Sequence, residues 1–121
     1  MSGTVATAEL LVDTDVLIDH LRRQRRLRAD GRRLGISVVS RCELFAGGDE
    51  PERLRRLLSP MIELPIDTTI AELAGTTRRD TGIAIPDALI AATALTHRIP
   101  VMTRNRRHFD RVAKLRVVAP A

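Results

Sequence analysis

Acidic residues stand in this sequence where apolar runs end. Asp13 follows the run ELLV at 9 to 12, with Asp15 and Asp19 close behind it; Glu43 comes four residues after Val39 in ISVVSRCEL; Asp87 follows Pro86 at the head of a long apolar segment. Taken singly, each acid has a structural explanation. Asp13 or Asp15 suits the N-cap of a following helix, Ser40 and Glu43 have the S-x-x-E spacing of a capping box, and a helix dipole favours Asp87 near an N-terminus. Taken together, three carboxylates brought to one sheet edge would repel one another, and a divalent cation relieves that repulsion. Donors that are all oxygen, with no histidine among the three acids, select a hard ion, Mg²⁺ or Mn²⁺, over zinc. Such an ion, kept partly hydrated, activates water and steadies the charge on a phosphate ester in transit. Hydrolysis of a phosphodiester or phosphomonoester is the chemistry these residue types allow.

The elements that must position the acids follow from periodicity. Short apolar runs at 9–12, 36–39, 62–66, 100–103 and 115–119 read as strands, and segments 15–28, 40–46, 50–58, 67–80 and 86–97 read as helices. In 67–80, Ile70, Leu73, Ala74 and Thr77 share one face. In 86–97, Pro86 occupies a first helical position and apolar residues continue all the way round, which predicts a central helix. Strands alternating with helices predict an α/β fold with a parallel sheet covered on both faces. Ligands of such sheets bind beyond the carboxyl ends of the strands. Glu43 is then expected in the first turn of its helix, Asp87 at the start of its own, and Thr103 and Asn105 on the same edge. A length of 121 residues fits a single domain over 1–121, with the motif-bearing core at about 9–119.

Composition narrows the partners. Aromatic residues make up 2% of the chain, with no Trp or Tyr, so a base-stacking platform has almost nothing to be built from, and contact with RNA has to run through phosphates. Basic residues number 20 against 15 acidic ones, and all but Lys114 are arginines. Arginine grips phosphate or carboxylate with a planar fork, which fits a polyanionic partner, while a general compositional preference for Arg explains the same numbers. The run HLRRQRRLRADGRR concentrates the charge. Arg22, Arg23, Arg25 and Arg26 there, with Arg104, are candidate contacts to RNA or to an acidic protein; the bland reading is the solvated face of a helix with Leu21 and Leu27 turned inward. Cys42 excludes an internal disulfide and reads as a small buried hydrophobe in a reducing compartment. With no signal-like start and no run long enough to cross a bilayer, the expected location is the cytoplasm, without a membrane partner. Gly47 and Gly48 read as a helix end, and His20 and His97 as surface or packing residues.

The order LLVDTDVLID, ISVVSRCELFAG, IPDALIAATAL, VMTRNRRHFD resembles the PIN-domain ribonucleases, and closely the VapC toxins of type II toxin–antitoxin pairs. The resemblance implies a three-layer α/β/α PIN-like domain and an Mg²⁺-dependent endoribonuclease that inhibits translation or growth. It implies a homodimer, held in check by a VapB-like antitoxin. Asp13, Glu43 and Asp87 correspond to the acids that hold Mg²⁺ (or Mn²⁺), with Thr14 and Thr103 as accompanying polar residues. Asn105 and His108 fall in the fourth motif, where many members carry an acid. That departure predicts one firmly held ion, a second arriving only with substrate phosphate, and Asp15 and Asp110 supplying part of the missing charge. Asn105 then orients water or the ion, and His108 is a candidate proton donor or phosphate contact.

Two rivals share some of these features. An aspartyl phosphatase of the haloacid dehalogenase class also opens with a strand and D-x-D, which DTD at 13–15 satisfies, but Lys114 stands alone where that class needs a Lys with an acidic pair. A non-catalytic PIN-like module that only binds RNA or protein would be favoured by loss of a core acid; Asp13, Glu43 and Asp87 are all present.

Overall fold

A computed structural model describes residues 7–120. Five strands form one parallel sheet in the order β3-β2-β1-β4-β5, with β1 Leu10–Val12, β2 Leu34–Ser37, β3 Ile62–Leu64, β4 Val101–Met102 and β5 Val117–Val118. The helices are α1 Thr14–Leu21, α2 Val38–Phe45, α3 Pro51–Leu58, α4 Thr68–Thr81, α5 Ile85–His97 and α6 Arg106–Phe109.

Handedness distributes the helices. From β1 the chain moves outward through β2 to β3, then returns across the sheet to β4 and β5, and right-handed crossovers put the two directions of travel on opposite faces. The side chains record the split. Leu10 and Val12 of β1 pack with α1, α2 and α3 through Val16, Leu17, Leu44, Leu54 and Leu58, whereas Leu11 packs on the other face with Ile70, Ala74, Ile90, Ala91 and Phe109. Alternation of period two along β1 thus builds both cores of a three-layer α/β/α fold. The reversal of strand order falls between β1 and β4, so a crevice opens beyond their carboxyl ends.

The expected elements are all present, with shifted limits. The strand expected at 36–39 is Leu34–Ser37, because the Ser37 hydroxyl accepts the Val39 N–H at 3.0 Å and turns Val38 and Val39 into the first residues of α2. Ser40 is therefore not a cap, and Glu43 lies in the second turn of α2, not the first. The helix expected at 15–28 stops at Leu21: Arg23 adopts φ 58°, and the Leu27 N–H donates to His20 Nδ1 at 3.0 Å, folding the arginine run back as a loop. Ile85 precedes Pro86 in α5, and the short helix α6 carried no periodicity long enough to read. Cys42 is exposed, not buried, since α2 turns Ser40 and Leu44 to the interior. At Gly35 in β2 a Cβ would stand 2.7 Å from that of Ala8, so the close approach of the two segments requires glycine. Among the described residues no helix is long and apolar enough to cross a membrane.

Candidate active site

Asp13 is a cap and something more. As the N-cap of α1 it accepts the Thr14 N–H on Oδ1 at 2.8 Å, and on Oδ2 it accepts the Thr103 hydroxyl, also at 2.8 Å, across the crevice between β1 and β4. The Thr103 hydroxyl in turn accepts the Asn105 N–H at 3.0 Å. Thr14 reaches the other way: its hydroxyl donates to Glu43 Oε1 at 2.7 Å and lies 2.9 Å from the buried Ser40 hydroxyl. Residues from β1, α1, α2 and the end of β4 are thus joined around one carboxylate.

Two further contacts complete the edge. The Asn105 amide donates to Asp15 Oδ2 at 2.5 Å, and His108 Nδ1 stands 3.3 Å from Asp87 Oδ2. Asp87 occupies the first turn of α5, a helix whose Ala88, Ile90, Ala91, Ala92 and Ala94 are buried. Small side chains let that helix lie close against the sheet and carry Asp87 to the crevice.

The electrostatics are those of crowded acids. Burial, and after it the charge of Asp15, pushes the Asp13 carboxyl up to about 7, against the pull of its hydrogen bonds from Thr103 and Thr14. Asp87 is also raised, by burial first, with His108 lowering it and Glu43 and Asp15 raising it. Asp13, Asp15, Glu43 and Asp87 therefore share one field. Asp15 Oδ1 is buried with no hydrogen-bond partner, in a carboxyl whose charge and side-chain contact both raise Asp13. An all-oxygen, mutually repelling donor set with an orphaned buried acceptor fits a hard divalent cation. As placed, neutral Thr and Asn donors occupy the carboxylates, and no three His, Cys, Asp or Glu side chains among the described residues are arranged to hold a metal ion; the ligand set requires side-chain rotation to close.

The remaining candidates separate. Asp110 is exposed and pairs with Arg106 at 3.3 Å, away from the hydrogen-bonded group. Arg104 is paired with Asp19 of α1, a partner the sequence did not suggest. Arg22 caps the end of α1, Arg23 and Arg26 face a cavity toward α3, and Arg25 lies beside Thr103 and Arg104. Ser40 was hidden as a presumed cap, although its spacing from Glu43 already put the two on one helix face.

With this geometry in view, known proteins give a consistent likeness. A family model described as the PIN domain matches residues 10–115. Ribonuclease VapC10 of Mycobacterium tuberculosis is 38% identical over 121 residues, covering 88% of this chain and 90% of that protein. Ribonuclease VapC1 of Methanocaldococcus jannaschii is 31% identical, covering 87% and 82%. In a toxin–antitoxin complex from Klebsiella pneumoniae, a chain 33% identical superposes with a TM-score of 0.79 over 93% of this chain and 98% of its own. The chain belongs to the PIN domain family and, within it, to the VapC proteins.

Proposed function

We propose that this protein is a divalent-cation-dependent endoribonuclease and the toxin of a toxin–antitoxin pair, cutting RNA phosphodiester bonds in the cytoplasm and thereby stopping translation or growth. The observation that carries the reading is the gathering of four acids at the β1/β4 crevice, where burial and the charge of Asp15 raise the proton affinity of Asp13, and burial with the charges of Glu43 and Asp15 raises that of Asp87. The ribonuclease relatives and the toxin–antitoxin structure support the substrate class and a VapB-like partner. A homodimer is part of the same reading.

Asp13, Glu43 and Asp87 are the residues that would hold Mg²⁺, or Mn²⁺, with Asp15 adjoining. When bound, the ion supplies Lewis-acid activation of water and neutralises charge developing on the phosphate. The chain's own groups do the rest. Thr14 and Thr103 hold Glu43 and Asp13 by their hydroxyls, so the acids are oriented before substrate arrives. Asn105, tied to Asp15, stands where it can orient water, and His108, beside Asp87, where it can give a proton to the leaving oxygen.

The test is cleavage of total bacterial RNA by antitoxin-free protein, with Mg²⁺ or with chelator, beside Asp87→Asn, with new ends mapped by sequencing. Discrete ends that require the cation and fall on the order of a thousandfold in Asp87→Asn are expected, a loss of the size seen when a charge-stabilising group is removed. Equal cutting by Asp87→Asn refutes the site; ends independent of the cation refute the chemistry.

A further inference from the structure

The arginine loop after α1 has two sides, and each side lines a different cavity. Toward α3, His20, Arg23, Arg26, Arg53 and Arg56 surround a cavity of about 540 Å³, with Leu21 and Leu57 beneath them. Toward the site, Arg25 joins Thr103, Arg104 and Arg106 around a cavity of about 250 Å³. Arg104 also lines the cleft of Asp15, Asp19 and Asn105. The acid cleft and the Arg25 cavity share Arg104, and along the loop Arg25 stands between Arg23 and Arg26, which line the cavity toward α3.

The charges in them are unevenly spent. Arg53 donates to the Leu21 carbonyl and pairs with Asp49, and Arg104 pairs with Asp19. The guanidinium groups of Arg23, Arg25, Arg26 and Arg56 have no hydrogen-bond or ion-pair partner among the described residues, in contrast to those of Arg53 and Arg104. Guanidinium groups gathered in a concave surface focus positive potential, and an anion that meets several of them at once removes their mutual repulsion. The α1 helix between Asp13 and Leu21 is 8 residues long, so the far cavity lies roughly 12 Å from the site along the helix axis. A ligand that spans both cavities and reaches the adjoining acid cleft meets arginines at intervals, which matches repeated negative charge along its length.

We propose that these hollows form one track for the RNA backbone, running from the acid cleft past Arg25 to a distal phosphate site between α1 and α3. This rests on the ribonuclease reading and deepens it. Arg25 takes the phosphate next to the cleaved one, and Arg23, Arg26 and Arg56 take phosphates further along the same strand. Arg53, pinned by Leu21 and Asp49, is the fixed wall of the distal site. Charge readout of this kind carries no base specificity, in keeping with a chain that has two Phe and no Trp or Tyr.

Binding measured in chelator separates the track from catalysis. Fluorescence anisotropy with a labelled single-stranded RNA is followed across a salt series for the wild type, Arg25→Gln, Arg26→Gln/Arg56→Gln and a control, Arg79→Gln/Lys114→Gln, which removes the same charge elsewhere. The Arg26/Arg56 pair is expected to weaken binding roughly tenfold and to flatten the logarithmic salt slope by about 1.4, Arg25→Gln by about 0.7, with the control near wild type. Equal losses in the control and the track variants overturn the proposal, because net charge then suffices. Unchanged RNA affinity in the track variants, with loss of a poly-glutamate competitor instead, overturns it in favour of an acidic protein segment. RNA bound through these arginines but never cut would refute the ribonuclease reading and leave the track standing.

Discussion

The two faces of the sheet solve the same burial problem with different materials. On one, α4 and α5 run 14 and 13 residues and the contact is made largely by Ala74, Ala88, Ala91, Ala92 and Ala94. On the other, α1, α2 and α3 are 8 residues each and are held by leucines, Leu17, Leu44, Leu54 and Leu58 among them. Alanine buries little area but permits close approach, so the α5 face gains a long helix in a tightly defined position. Leucine buries more area per residue, and short helices leave more of the chain in connections. The connections carry cations. One face thus delivers Asp87 to a fixed point, and the other presents a surface for charge.

Asp13 stands where the faces meet, and its titration is the largest expected effect. Its carboxyl is raised from 3.8 to about 7 in the fold, so the folded chain binds that proton more tightly than the unfolded chain. The contribution of Asp13 to stability is then greatest below about pH 4, falls as pH rises toward 7 and levels off above it, by up to about 4 kcal/mol. Thermal unfolding in chelator from pH 4 to 8 should show the decline, and Asp13→Asn should flatten it. Mg²⁺ should raise the Tm at pH 8 far more than at pH 5. A wild-type Tm unmoved by pH or Mg²⁺ would remove both the crowding of the acids and their fit to a cation.

The two kinds of packing fail in opposite ways. Leu54 is 1% exposed in α3, and Leu54→Ala should cost about 3 kcal/mol by leaving a cavity. It should leave the cleavage rate near wild type wherever the protein stays folded. Ala91 is fully buried in α5, and Ala91→Leu should cost about 2 kcal/mol by overpacking. Its cleavage rate should fall further than stability explains, because lifting α5 moves Asp87. Denaturant unfolding and initial rates on the same samples decide this; equal effects on activity would dissolve the contrast between the faces.

The smallest expected change is at Thr103. Thr103→Val removes the hydroxyl that donates to Asp13 and accepts the Asn105 N–H, at a cost of about 1 kcal/mol in urea unfolding. Loss of that donor should raise the Asp13 pKa further, shifting the pH-dependent decline in Tm upward. A shift to lower pH would contradict the hydrogen bond's assigned direction.

Much of this architecture was readable because burial leaves a period in the sequence. The apolar runs and the Ile70, Leu73, Ala74, Thr77 stripe located the strands and α4, and the parallel arrangement followed from their alternation with helices. Helix limits were less legible, since they depend on which of several candidate caps wins: Ser37, inside an apolar run, displaced Ser40. The loop at 22–28 was hidden because arginine is a good helix former, and its turn depends on the His20 ring accepting the Leu27 N–H. Cys42 was misplaced because cysteine's usual burial says nothing about the side of α2 on which it falls.

By itself the sequence determined the alternation of strand and helix, and the positions of the acids relative to strand ends, because those properties are local and periodic. Only the tertiary structure decided that Thr103 meets Asp13 across 90 residues, that Asn105 meets Asp15, and that Arg104 is paired while Arg25 is not. These contacts arise from the reversal of strand order between β1 and β4. Such a reversal brings distant chain segments to one crevice, and no local propensity encodes which side chains will meet there.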